Sequence, residues 1–242
     1  MECKMEKQLL VPASMCDHTG RLAIPHIFSL FMDLATEHGD AMGLGMDVLA
    51  KKNLIWLTVK TRIRIFERPA MLQTLSALTW PETPGRIRCN RFYQLASENG
   101  IVAEGKTEWA MMDTVTGRLA RIADTYPHEL EHRDTAVCEG PFARISDDFS
   151  NCTKLTEFTV RSADIDAAQH MNNAAYVHAM FGAFSCRELD AMNVREAEVH
   201  FRAPCFEGDR LSVFRRDTDG GVELGILRSD GTTAVCARFL CG

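Results

Sequence analysis

The chain lacks any C-x-x-C pair and any His-Glu-x-x-His run, although it holds nine cysteines. Those thiols are scattered over positions 3, 16, 89, 138, 152, 186, 205, 236 and 241. Scattered thiols without a framework point to a reducing compartment and give no zinc site. Also missing is any apolar run near the roughly 18–20 residues of a membrane span. The opening MECKMEKQLLVPAS carries Glu2 and Glu6, and its apolar stretch runs only from Leu9 to Val11. That is too short for the core of a secretory leader, so the expectation is a cytoplasmic protein. Positive charge is not in excess: 27 Lys and Arg against 33 Asp and Glu leave a net charge of −6. No global field is available to attract nucleic acid. Gly and Pro are not enriched and 46% of residues are apolar, which excludes disorder. At 242 residues the chain allows one large domain or two small ones.

What is present is an internal repeat. Three signals recur in the same order in both halves. First, Pro25 to Met42 places Ile27, Phe28, Leu30, Phe31, Leu34 and Ala35 at helical spacing, with Pro25 in the first turn and glycines at the end. Asn173 to Met192 places Tyr176, Val177, Met180, Phe181, Phe184 and Leu189 on one stripe, with Asn172 or Asn173 as cap. Second, each half has an alternating strand that stops before a proline. Trp56 to Phe66 puts Leu57, Val59, Thr61, Ile63 and Ile65 on one side and leads to Pro69, and Glu196 to Phe201 leads to Pro204. Third, each half has hairpin turns, Asn99-Gly100 in one and Asp230-Gly231 in the other. Each half therefore reads helix, strand, then a three-stranded meander. This predicts an α+β tandem hot-dog, each unit a long helix packed on an antiparallel sheet, with the two sheets able to join edge to edge. The expected divisions are 1–130, a linker over 131–152, and 153–242.

The stretch richest in chemistry runs from Asp164 to Tyr176. It lies where the strand-like Glu157 to Arg161 gives way to the second helix. Amides at a helix start point outward and carry partial positive charge, which suits the oxyanion of an acyl transfer. Asp166 and His170, just upstream, suit the holding or deprotonation of a water. The plain alternative is a cap with a solvated His.

These residues resemble a known family. Asp166, His170, Asn172, Asn173 and Tyr176 follow the D-x-N-x-H-V-N-N-x-x-Y signature of acyl-acyl-carrier-protein thioesterases, and the Asp of shorter hot-dog thioesterases also falls on Asp166. Gly20-Arg21-Leu22, Glu37-His38 and Ile55-Trp56-Leu57 resemble family segments of the first half, and Arg202-Ala203-Pro204-Cys205 resembles R-x-E-C. The resemblance implies Asp166 and His170 as catalytic residues, with amides near Asn172 and Asn173 holding the thioester oxygen. It also places Cys205 at a position assigned as a nucleophile. A buried apolar Cys beside Phe206 is the alternative for that residue. Ala168 stands where the family has Asn, and Pro204 where it has Glu.

The resemblance implies an acyl-chain pocket in the first unit, for which Phe28, Phe31, Met32, Ala35, Trp56 and Met111 are the candidate lining; ordinary core is the alternative for each. Lys60, Arg62 and Arg64 share one strand face by period two, with Arg68, Arg86, Arg88 and Arg91 following. Such a basic strip suits docking of an acidic acyl carrier protein; a solvated outer sheet face is the alternative. The expected function is hydrolysis of a fatty acyl thioester on acyl carrier protein or on CoA, without metal or cofactor. The alternative is a catalytically weakened acyl-binding or interaction protein on the same scaffold. A homodimer stays open, since two joined units mimic the usual single-unit pair.

Overall fold

The two halves fold into two units, Met1–Gly140 and Pro141–Gly242. The computed structural model describes residues 3–127 and 135–242. The expected boundary between 130 and 131 lies outside the described residues. Among the described residues no helix is long and apolar enough to cross a membrane.

The first unit runs β1 (Met5–Leu10), α1 (Ile24–Ala41), α2 (Met46–Ala50), β2 (Leu54–Ile65), β3 (Thr74–Pro81), β4 (Arg88–Ser97) and β5 (Gly100–Asp113). Its strands lie side by side, all antiparallel, in the order β1-β3-β4-β5-β2. The second unit runs β6 (Thr153–Thr159), α3 (Asn173–Gly182), α4 (Cys186–Met192), β7 (Val194–Phe201), β8 (Arg210–Thr218), β9 (Gly221–Arg228) and β10 (Thr233–Cys241). Its order, β6-β8-β9-β10-β7, reproduces the first strand for strand. Each unit is thus the expected helix on an antiparallel sheet.

Helix α1 starts with Pro25 in its first turn, where the missing N–H costs nothing. Its stripe of Ile27, Phe28, Phe31, Leu34 and Ala35 is buried against the sheet. Phe31 stacks on Tyr93 with ring centroids 4.7 Å apart, and its ring lies over Gly105 of β5. In the second unit Phe181 of α3 stacks on Phe239 of β10 at 4.6 Å.

Three details depart from the sequence expectations. The second helix is two. Ser185 and Glu188 form a capping box, the Ser185 Oγ accepting the Glu188 N–H and the Glu188 carboxylate accepting the Ser185 N–H, and this starts α4 afresh. In β2 a bulge between Thr58 and Lys60 interrupts the alternation. Trp56 therefore pairs with Met111, and Thr61 with Thr107, on the helix side, whereas Leu57 pairs with Ala110 on the other side. The stretch 131–152, expected as a linker, is described from residue 135. It packs on the sheet faces that point away from the helices. Trp80 Nε1 donates to the Thr135 carbonyl (2.7 Å), Val137 packs on Trp80 and Phe92, and Lys106 Nζ donates to the Gly140 carbonyl (2.7 Å). In the second unit Ile145 and Phe149 cover Cys236, and the Ala143 N–H donates to Glu198, which also bonds His200 at 2.7 Å.

A single turn recurs ahead of both helices. In the first unit the Asp17 N–H donates to the Arg21 carbonyl and the Gly20 N–H to the Asp17 carbonyl, while Asp17 Oδ1 accepts the Thr19 N–H, each at 2.9 Å. In the second, Asp166 N–H donates to the His170 carbonyl and Gln169 N–H to the Asp166 carbonyl, both at 3.0 Å. Asp166 Oδ1 accepts the Ala168 N–H at 2.9 Å. Gly20 (φ +70°) and Gln169 (φ +63°) occupy the same left-handed position. The residue after each turn is tied alike: the Leu22 N–H to the Pro69 carbonyl and the Met171 N–H to the Cys205 carbonyl, both 2.8 Å.

Two predictions follow from this packing. A Cβ at position 105 would stand inside the Phe31 ring, and backbone on a paired strand cannot retreat. Gly105→Ala should therefore cost about 1–3 kcal/mol, read as a lowered denaturant midpoint. The second concerns Asp17. Burial opposes its ionisation, but the Thr19 hydroxyl and the Arg68 guanidinium outweigh it and hold the carboxyl below its ordinary range. A carboxyl lowered on folding adds stability above its unfolded-state pKa and loses it as pH falls through the folded value. Arg68→Ala should cost up to about 1 kcal/mol near neutral pH. The cost should shrink in acid, measured as the wild-type-minus-variant difference in midpoint at each pH.

Candidate active site

The site is built on the second of these turns. The bridge between Ile165 and Met171 closes it, so that Asp166 and His170, four apart in sequence, end on one side of a tight loop. His170 Nδ1 lies 3.8 Å from Asp166 Oδ1 and 3.3 Å from the Met171 carbonyl. A carbonyl only accepts, so that contact calls for a proton on Nδ1, and in the neutral ring the lone pair is then on Nε2. Both side chains are about three-quarters buried, Asp166 25% and His170 30% exposed, which keeps them within reach of solvent and of a ligand. One carboxylate oxygen of Asp166 is used by the turn, and among the described residues no lysine or arginine lies within ion-pair distance of it.

The loop delivers the chain to α3. Asn172 is its N-cap: the side chain accepts the Ala174 N–H at 2.8 Å, and its own N–H donates to the Asp164 carbonyl at 2.8 Å. Asn172 is thereby committed to the helix start. Asn173, one residue on, is the first helical residue. Its N–H has no acceptor within the helix. Among the described residues its half-buried carboxamide also makes no hydrogen bond. Asp166, His170 and Asn173 are therefore the residues left with chemical capacity.

Cys205 enters through its backbone. Its carbonyl holds Met171, and its N–H donates to the Tyr176 hydroxyl at 3.0 Å. The thiol is fully buried and burial pushes its pKa up, the reverse of an activated nucleophile. Tyr176, which the motif contained without an assigned task, is the strut between α3 and this segment. A cavity of about 560 Å³ adjoins the turn, lined by Thr156, Phe158, Asp164, Ile165, Asn172 and His178 among others; Asp166 and His170 do not line it.

The candidate acyl-pocket residues fall in two groups on the helix side of the first sheet. Phe28, Phe31 and Ala35 share the buried stripe of α1, with Met32 half-buried beside them. Trp56 and Met111 face each other in register and join a cluster with Met42, Leu44 and Leu49. Trp56 Nε1 donates to the Leu44 carbonyl at 3.2 Å. The basic strip is dispersed. Arg62 is 6% exposed and donates to the Glu139 carbonyl, Arg68 pairs with Asp17, Arg88 with Glu108 at 2.7 Å, and Arg91 points inward at 7% exposure. Period two put Arg62 on an outer face correctly, but the segment from 135 to 140 covers that face.

Residues 2–130 match the acyl-ACP thioesterase N-terminal domain, and residues 150–235 match the acyl-ACP thioesterase C-terminal domain. Oleoyl-acyl carrier protein thioesterase 2, chloroplastic, of Arabidopsis thaliana is 24% identical over 238 residues, covering 89% of this chain and 64% of the relative. A palmitoyl-acyl carrier protein thioesterase of Cuphea hookeriana is 24% identical over 217 residues, covering 82% of this chain and 51% of its own. The chain thus spans between half and two thirds of the length of these curated relatives. Among solved structures, an acyl-ACP thioesterase from Bacteroides thetaiotaomicron shares the fold with a TM-score of 0.85 at 18% identity, over 99% of this chain and 98% of the other. The 12:0-ACP thioesterase from Umbellularia californica does so with a TM-score of 0.82 at 16% identity, over 98% and 96%. With both halves matched in order by its two domains, the chain belongs to the acyl-ACP thioesterase family.

Proposed function

We propose that the protein hydrolyses a fatty acyl thioester, with an acyl carrier protein as the carrier that the family relation favours. The observation that carries this reading is the Asp166–His170 turn. It is the same turn as that of Asp17, but without the arginine that neutralises Asp17. A carboxylate relieved of its ion pair is available to a water molecule. The reaction is then written with water as nucleophile. Asp166 orients the water, and His170 Nε2 or the carboxylate takes its proton as oxygen bonds to the thioester carbon. The Asn173 N–H and carboxamide are placed to receive the oxygen that becomes negative. Collapse breaks the C–S bond, and the thiolate recovers the proton to leave as free thiol beside the fatty acid. In this reading the acyl chain is taken up by the helix–sheet interior of the first unit and the chemistry belongs to the second.

A second reading, that of a weakened enzyme or an acyl-binding protein, rests on two residues. Ala168 contributes only its backbone N–H to the turn, and Pro204 can neither ionise nor donate. Losing one transition-state hydrogen bond costs on the order of a hundredfold in rate.

Release of free thiol from acyl thioesters by the purified protein separates the readings. Wild type should release thiol, Asp166→Ala should fall by about a hundredfold or more and His170→Gln by about tenfold to a thousandfold. Ala168→Asn should raise turnover about tenfold if the missing amide limits the rate. Equal, background-level release by wild type and Asp166→Ala would leave binding alone.

A further inference from the structure

A second cluster of polar groups lies inside the first unit, where the core should be apolar. Along β4 the side chains facing α1 are Cys89, Arg91 and Tyr93; opposite them on β5 are Trp109, Thr107 and Gly105. Arg91 is 7% exposed. Its guanidinium donates to His38 Nδ1 on α1 at 2.8 Å and to Thr79 Oγ1 at 3.3 Å. A guanidinium only donates, so His38 meets it as a neutral ring. Among the described residues no carboxylate lies within ion-pair distance of Arg91, and a buried cation without a counter-charge is the unusual case. The neighbouring acids do not supply one: burial pushes the Cys89 thiol and the Tyr93 phenol each up to about 12, so both are neutral at ordinary pH.

Two further groups are left over beside it. Tyr93 Oη and Trp109 Nε1 are buried without a well-formed hydrogen bond, although Trp109 and Thr107 lie close enough to Tyr93 Oη to favour its ionised form, and Thr107 and Thr61 bond each other at 3.0 Å. An orphaned buried polar atom calls for an explanation. Donors outnumber acceptors here: the guanidinium and indole N–H groups only donate, and the phenol oxygen, which can accept one of them, has its own O–H to place.

Their position gives the surplus a meaning. On β5 the Phe31 contact is at Gly105 and the Trp56 partner is Met111, so Thr107 and Trp109 lie between the two groups of candidate lining residues. Resting on the proposed acyl uptake by the first unit, we infer that this unit selects acyl chains that carry an oxygen function, a hydroxyl, keto or carboxylate group, which Arg91, Tyr93 and Trp109 receive. An unsubstituted chain would bury the guanidinium and both orphan donors against hydrocarbon, and leaving such groups unpaired is what makes a polar site reject the analogue lacking the partner.

The test compares thioesters of octanoic, 8-hydroxyoctanoic and octanedioic acid and their shorter and longer homologues, on wild type and Arg91→Met. Wild type should favour an oxygenated chain by at least about tenfold in kcat/KM, and the hydroxy and dicarboxylic arms tell a neutral acceptor from an anion. Arg91→Met should lose that preference and gain on the plain chain. Tyr93→Phe, which removes only the hydroxyl, should narrow the preference and serves if Arg91→Met does not fold. Binding of the free acids, followed by tryptophan fluorescence, reads the same preference without turnover. Selective binding of the oxygenated acid by a protein that cleaves nothing would reject hydrolysis and uphold this inference. A wild-type preference for the plain chain, or an identical preference in Arg91→Met and Tyr93→Phe, would overturn it.

Discussion

An aspartate that accepts the amide two residues further on reverses the chain ahead of each long helix, and the arrangement of both units depends on that contact. It fixes where the helix starts, hence which of its residues meet the sheet. It also aims whatever side chain follows the turn. In the first unit the turn is closed electrostatically: Arg68 meets Asp17, and Arg21 donates to the Arg68 carbonyl at 2.7 Å. In the second, the position of Arg21 belongs to His170, and the carboxylate keeps one oxygen free of the turn. The same backbone thus makes a structural knot in one unit and a chemical site in the other, and two side chains decide the difference.

The division extends to the buried polar groups. Those on the sheet faces away from the helices hold the covering segment: Lys106 and Arg62 take carbonyls in the first unit, and Glu198 takes an amide in the second. They resemble secondary structure in function, since each satisfies backbone that no strand or helix pairs. Arg91 is different because it meets only side chains and keeps unmatched neighbours. A buried charge with a satisfied purpose and one without stand on opposite faces of the same sheet.

Much of this was legible in the sequence, and what was not has physical reasons. The hairpin turns at Asn99-Gly100 and Asp230-Gly231 are chemically specific, so the meanders were readable, and the proline ends of β2 and β7 anchored the repeat. Strand β1 was missed because it is an edge strand with every second residue exposed, which leaves a faint apolar alternation. The break before α4 was written in Ser185-Cys186-Arg187-Glu188 but masked by the apolar stripe running through it. The bulge in β2 has no residue signal, and one extra residue there moves Leu57 to the other face. Asp166 and His170 were legible as neighbours from spacing. The Asp17 twin was hidden, because glycine and arginine replace glutamine and histidine at the matching positions. Arg91 was misread as surface charge: a cation on a strand is usually solvated, and only the register shows it facing the helix.

The central claim is that two copies of one turn have parted, one for stability and one for chemistry. Measuring thiol release and thermal midpoint together for Asp17→Asn and Asp166→Asn tests it most directly. The account predicts a crossed result, with a lowered midpoint and near-normal turnover for position 17, and lost turnover with a near-normal midpoint for position 166. Matching losses of both properties in the two variants would contradict it.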